Sequence, residues 1–204
     1  MTDETQLLGI SNAIVDVLAQ VDESFLKEIG APRGSMTLID KDRAHEIYGM
    51  MNATTEMSGG SVANSIAGFA TLGGAAAYIG QVKNDQLGDV FRTDMQSLGV
   101  DIRLPPAADG SPTARCHVLI DADGQRTMQT YLGACTELGV ADVTTATVGN
   151  PTVILLEGYV WDIAEGPALA AAAIEIARAN GSKVALSLSD SFCVQRHREA
   201  FHDV

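Results

Sequence analysis

A chain of 204 residues that is 46% hydrophobic and 19% charged is long and apolar enough to bury a substantial core, as a soluble globular protein does. Its formal net charge of −13 repels nucleic-acid backbones and anionic membrane surfaces, so neither is expected as the main partner, while a phosphorylated ligand held by local N–H groups stays open. Cys116, Cys135 and Cys193 form no C-x-x-C pair, the start MTDETQLLGI lacks the pattern of a secretory leader, and the longest strongly apolar run, TVILLEGYVW, contains a glutamate, so a cytoplasmic protein with reduced thiols is expected.

The predicted elements alternate along the chain. QLLGI and AIVDVLA read as strands, DESFLKEI as a helix capped by Asp22 and followed by Gly30, SMTLI as a strand, and DKDRAHEIYGMM as a helix capped by Asp40. GGSVANSIAGFATLGG begins with a glycine pair and continues at helical spacing. AAAYIGQV then reads as a strand and QLGDVFRTDMQSLG as a helix ended by Gly99. The segment 113–132, TARCHVLIDADGQRTMQTYL, breaks the rhythm with two extended runs around Asp121 to Gly124, whose Asp-Gly pair signals a hairpin. Such a hairpin is either an edge elaboration or a mobile flap over a site. TVILLEG reads as a buried strand, GPALAAAAIEIARANG as a helix closed by Asn180 and Gly181, and KVALSLSD as a further strand. The pattern predicts an α/β fold with a mainly parallel sheet and helices on both faces. No repeat or low-complexity linker divides residues 1–204.

Two stretches stand out chemically. In GGSVANS, Gly59 and Gly60 suit a tight turn with positive φ, Ser61 suits the helix cap, and Asn64 follows where a capping box would have Glu or Gln. That leaves Asn64 with a donor and an acceptor facing the turn. In SNAIVDV, turn chemistry accounts for Asn12, but Asp16 lies between two valines, where an unpartnered carboxylate is costly to bury. An aspartate there can accept from adjacent sugar hydroxyls while the glycines admit the sugar close to backbone. Other chemistries lack their residues. Neither G-x-x-x-x-G-K-[ST] nor G-x-G-x-x-G after a strand occurs, His197 and His202 lack the H-E-x-x-H arrangement, and no nucleophile elbow surrounds Ser187, Ser189 or Ser191.

SNAIVDV, the run GGSVANSIAGFATLGGAAAYIGQVKNDQLGDVF, the hairpin and YLGACTEL follow one another in the order of the ribokinase-like (PfkB) carbohydrate kinases, which the chain resembles over nearly its whole length. The resemblance implies a ribokinase-like three-layer sandwich with a small β lid made of segments including 113–132. It also implies an enzyme that uses ATP and Mg2+ to phosphorylate a hydroxyl of a sugar or nucleoside. Residue by residue, it implies that Asp16 accepts sugar hydroxyls, Gly59 and Gly60 lie against the sugar, Asn64 hydrogen-bonds it and Asn12 supports the pocket. It allows a homodimer through the lid. Val62, two before the asparagine, is closer to adenosine-kinase-like members, and Lys83 stands where the family commonly has glycine. The D-T-x-G-A-G-D segment that gives the family its catalytic aspartate and anion hole does not occur in these residues, nor does N-x-x-E. The chain is therefore expected to be the amino-terminal and middle part of such a kinase, inactive alone. The alternative is a sugar- or nucleoside-binding module without catalysis.

Overall fold

The computed structural model describes residues 5–204; the start MTDETQLLGI, from which no leader is expected, lies in part, at residues 1–4, outside them. In chain order the elements are β1 (Leu7–Ile10), β2 (Ile14–Gln20), α1 (Glu23–Glu28), β3 (Met36–Leu38), α2 (Lys41–Met50), β4 (Thr55–Gly59), α3 (Ser61–Thr71), β5 (Ala76–Ile79), α4 (Gln86–Ser97), β6 (Asp101–Ile102), β7 (Ala114–Ile120), β8 (Arg126–Tyr131), α5 (Thr145–Val148), β9 (Val153–Glu157), α6 (Gly166–Asn180), β10 (Lys183–Ser187) and α7 (Ser191–His202). Helix starts follow local chemistry. The Asp22, Asp40, Asp85 and Asp190 carboxylates each accept from a backbone N–H in the first turn of the helix that follows. Gly30, Gly99 and Gly181, all at positive φ, lie just beyond helix ends.

The strands form two sheets. The first, in the order β10-β9-β1-β5-β6, is parallel throughout. Leu8 and Ile10 of β1 join Ile154, Leu156 and Ile79 on one face, where Leu169, Ala173 and Ala177 of α6 cover them. On the other face α3 comes so close that a Cβ added at Gly9 would lie 2.5 Å from Ile66. Burying each of these large aliphatic side chains stabilises the fold by roughly 1.5–3 kcal/mol. Among the described residues no helix is long and apolar enough to cross a membrane.

The second sheet, in the order β3-β8-β7-β2-β4, is mixed. β2 pairs parallel with β7 and antiparallel with β4, and β7 and β8 form the hairpin foreseen around Asp121. That hairpin is no edge elaboration, because β7 is the central strand. Only residues 11–13 separate β1 from β2, so the chain passes straight from one sheet into the other.

The two faces of the second sheet differ. Val15, Val17, Ala19 and Leu119 pack with Leu26, Ile29 and Ile47 beneath α1 and α2. On this covered face His117 is fully buried, and both its ring nitrogens lack a hydrogen-bond partner among the described residues. Burial, helped by the Arg115 charge, pushes its pKa down to about 4. Tyr48 of α2 packs 6.2 Å from the His117 ring, centroid to centroid, and the Arg115 guanidinium lies 5.4 Å from the centre of the Tyr48 ring.

Acid therefore loosens this layer. The unfolded imidazole takes its proton near the ordinary value of 6.5, whereas the folded one resists until about 4. The contribution is whole above about pH 6.5 and falls away as pH drops towards 4, by roughly 2 kcal/mol between pH 7 and pH 5. Urea unfolding of the wild type and of His117→Leu at those two pH values tests this. The variant should lose about 2 kcal/mol less than the wild type; equal losses would remove His117 as the cause.

Candidate functional site

The opening of α3 is built from a distant residue. Gly60, at φ +102, is the cap residue and has no side chain with which to cap; Ser61 is the first helical residue, so it is not the cap that the sequence suggests. A carboxylate takes its place. Glu157, the last residue of β9 and 1% exposed, accepts from the Val62 N–H through Oε1 at 3.3 Å and from the Asn12 N–H through Oε2 at 3.0 Å. Burial raises its pKa, and the bonds from Asn12 N–H, Val62 N–H and the Ser61 hydroxyl oppose that rise. Negative charge at the positive end of a helix is also favourable.

Gly59 and Gly60 are glycines for different reasons. Gly59 ends β4 in extended conformation, not in the positive-φ turn the sequence suggests for the pair. An added Cβ there would lie 2.4 Å from Cγ of Asp16, so glycine lets that carboxylate lie across the strand. At Gly60 an added Cβ would lie 2.8 Å from the Asn12 carbonyl oxygen, and φ is positive as well. Asp16 is the third residue of β2, inside the second sheet. Half-buried, it has its pKa raised by burial, with the Arg126 charge acting the other way. No donor among the described residues meets its carboxylate. Asn12 is 5% exposed, and its Oδ1 is buried without a partner.

Of the five residues singled out, Asn12, Asp16, Gly59 and Gly60 are thus brought together where the two sheets meet. Asn64 is the fourth residue of α3, one later in the helix than the expected cap would make it. It is exposed, its N–H bonds the Gly60 carbonyl, and its side chain bonds none of the other four. The two free groups, a carboxylate and an amide oxygen, are both acceptors. They suit a ligand that brings donors, such as a neutral polyol, better than an anion.

Strand register adds an apolar wall. Cross-strand partners share a face, so Leu38, Thr130, Cys116, Asp16 and Met57 form one row across the open face of the second sheet. Leu38 and Met57 are 60% and 43% exposed, and Met36 on the next row 49%. Thr130 donates to Cys116 Sγ at 3.2 Å. Glu157 is the residue that sequence reasoning missed; its signal was a glutamate closing an otherwise apolar strand. His197 meets Asp162 Oδ1 at 2.7 Å, on a carboxylate that Arg196 also bonds.

This architecture has known counterparts. An adenosine kinase from Sinorhizobium meliloti has a solved structure with which the chain shares 46% identity and a TM-score of 0.87, covering 98% of this chain and 61% of that one. A probable sugar kinase from Rhizobium etli gives 42% and 0.88, covering 100% and 61%. Among curated proteins, the guanosine-inosine kinase of Escherichia coli is 24% identical over 204 residues, which are 95% of this chain and 47% of that protein. The chain thus spans about half the length of the curated relatives it matches first. The family model for pfkB family carbohydrate kinases matches residues 35–204. The chain, with its two sheets and the acceptor groups at their junction, belongs to the pfkB family of carbohydrate kinases.

Proposed function

We propose that this chain supplies the acceptor-binding part of an ATP-dependent cytoplasmic kinase that phosphorylates a hydroxyl of a nucleoside. The supporting observation is the Asp16 carboxylate, which lies over Gly59 without a protein donor, together with the buried and likewise unpartnered Oδ1 of Asn12 in the link that leads into the same strand. Ribose hydroxyls would satisfy both acceptors, with Asp16 taking a pair of them. A nucleoside is favoured over a free sugar because the row beside Asp16 is largely apolar. Leu38, Cys116 and Met57 offer a base the surface that a fully hydroxylated sugar cannot use. The names of two of the three relatives above, an adenosine kinase and a guanosine-inosine kinase, agree with that choice.

In this reading the second sheet is a lid, open on its apolar face and fixed at its base, and Asn64 contacts the ligand from the exposed start of α3. Phosphoryl transfer depends on positioning and on stabilising charge at the phosphoryl oxygens. This chain's residues perform the first task for the acceptor: Asp16 and Asn12 orient it, and the glycines admit it. Magnesium is held mostly by water and substrate phosphates with one or two carboxylates, so it would enter with ATP rather than wait in a protein cage. Among the described residues no group of three or more His, Cys, Asp or Glu side chains is placed to hold a metal ion. No step is therefore assigned to a metal here, and the 204 residues alone should not turn over.

Three outcomes check the reading. In the protein expressed from its full reading frame, Asp16→Ala should weaken adenosine binding about 30-fold or more in calorimetry while circular dichroism stays unchanged. Unaltered affinity would refute the role of Asp16. Adenosine should slow amide exchange in 114–131 more than in α6, and equal exchange with and without it would remove the lid. Purified residues 1–204 with Mg·ATP and adenosine should give no turnover, whereas a rate ordinary for a kinase would show that the catalytic groups have been misplaced.

A further inference from the structure

The chain passes between the two sheets at four places, which form two pairs. In the first pair, the β1-to-β2 link at Asn12 lies against the β4-to-α3 turn at Gly60, and Glu157 bonds both segments. In the second pair, the chain entering β7 meets the chain leaving β8. The Ala134 N–H donates to the Pro112 carbonyl at 2.9 Å, and Gly133, at φ +44, is so close that an added Cβ would lie 2.2 Å from the same oxygen.

A carboxylate serves the second pair too. Asp85 caps α4 by accepting from the Gly88 N–H through Oδ1 at 2.8 Å. That oxygen also accepts from the Thr113 hydroxyl at 2.6 Å, and Oδ2 accepts from the Thr113 N–H at 2.9 Å. Thr113, 1% exposed, accepts in turn from the Lys83 N–H at 3.0 Å. There is no slack behind this knot, because a Cβ added at Gly88 would lie 1.9 Å from the Lys83 carbonyl oxygen. Capping needs only one acceptor, which Asn, Ser or Thr supplies as well. Three donors on two oxygens call for a carboxylate. Thr113 immediately precedes β7, the central strand of the second sheet, and β2 beside it carries Asp16.

We propose that Asp85 is a positioning residue: by gripping Thr113 it fixes the second sheet against the first, and so sets acceptor affinity from a place that does not touch the acceptor. Its link to affinity rests on the reading of the second sheet as a lid; the mount itself does not.

Amide exchange in the protein from the full reading frame separates these. Asp85→Asn keeps an oxygen for Gly88 and turns an NH2 towards the Thr113 N–H. Thr113→Val removes the hydroxyl at constant shape, and Thr113→Ser restores it. Exchange across 114–131 should quicken about tenfold or more in Asp85→Asn and Thr113→Val, with β9 and α6 unchanged and Thr113→Ser close to wild type. Lid exchange within about twofold of wild type in both variants would overturn the proposal. So would quickening spread evenly over both sheets, or a Thr113→Ser variant as fast as Thr113→Val. If Asp85→Asn does not fold, the Thr113 pair decides. In calorimetry with adenosine, Asp85→Asn should bind about tenfold more weakly and Thr113→Ser near normally. Unchanged adenosine affinity in Asp85→Asn would overturn the link to the site. A wild type that binds none of adenosine, guanosine or ribose would overturn the functional reading and that link, and the exchange data would still decide the mount.

Discussion

A carboxylate buried without a cation must have its charge answered by hydrogen bonds, and in this protein that requirement fixes the junction of two sheets. Glu157 lies at the end of β9 in an apolar setting, where desolvation alone would drive it towards the neutral form. What keeps an acceptor there is the pair of N–H groups that reach it from Asn12 and Val62. Neither donor has a nearer use. Val62 is in the first turn of α3, whose N–H groups have no partner within the helix, and Asn12 is in a link between strands. A strand end, a crossing and a helix start are thereby held by one side chain.

The rest of the junction follows from that closeness. With the Asn12 segment drawn against the start of α3, only glycine fits at 60, and a side chain at 59 would displace the Asp16 carboxylate from its place over β4. The same segment leaves the Asn12 Oδ1 buried and unpartnered, an arrangement that costs stability unless a ligand donor completes it. The apolar open face beside it has a similar logic. Met36, Leu38 and Met57 stay exposed on a sheet whose other face is packed by α1 and α2, which suits a surface that closes over something.

Much of the frame was legible in the sequence. The capping aspartates, the glycines after helices and the Ala-rich α6 fall where local chemistry puts them, because caps and left-handed turns are decided within a few residues. The division into two sheets was legible only through the family resemblance, which implies a small β lid beside the main sheet, since alternating strands and helices read alike whether the strands join one sheet or two. β4 escaped for the same kind of reason: TEMSG carries no β-branched alternation beyond its first residue and becomes a strand by pairing with β2. Of the candidate site, Asp16 and the glycines were visible as residues out of keeping with their surroundings. Ser61 was misread as the cap because the true one comes from 95 residues away along the chain, beyond the reach of any local pattern.

The most direct test of this account is the amide exchange of Asn12 and Val62 in Glu157→Gln. The glutamine side chain has nearly the same shape, but one of its two ends is a donor, so it cannot accept at both ends as the carboxylate does from the Asn12 and Val62 N–H groups. At least one of the two amides should exchange about tenfold faster than in the wild type, as expected for the loss of a bond worth about 1–3 kcal/mol. Wild-type exchange at both positions would show that the carboxylate does not hold the junction.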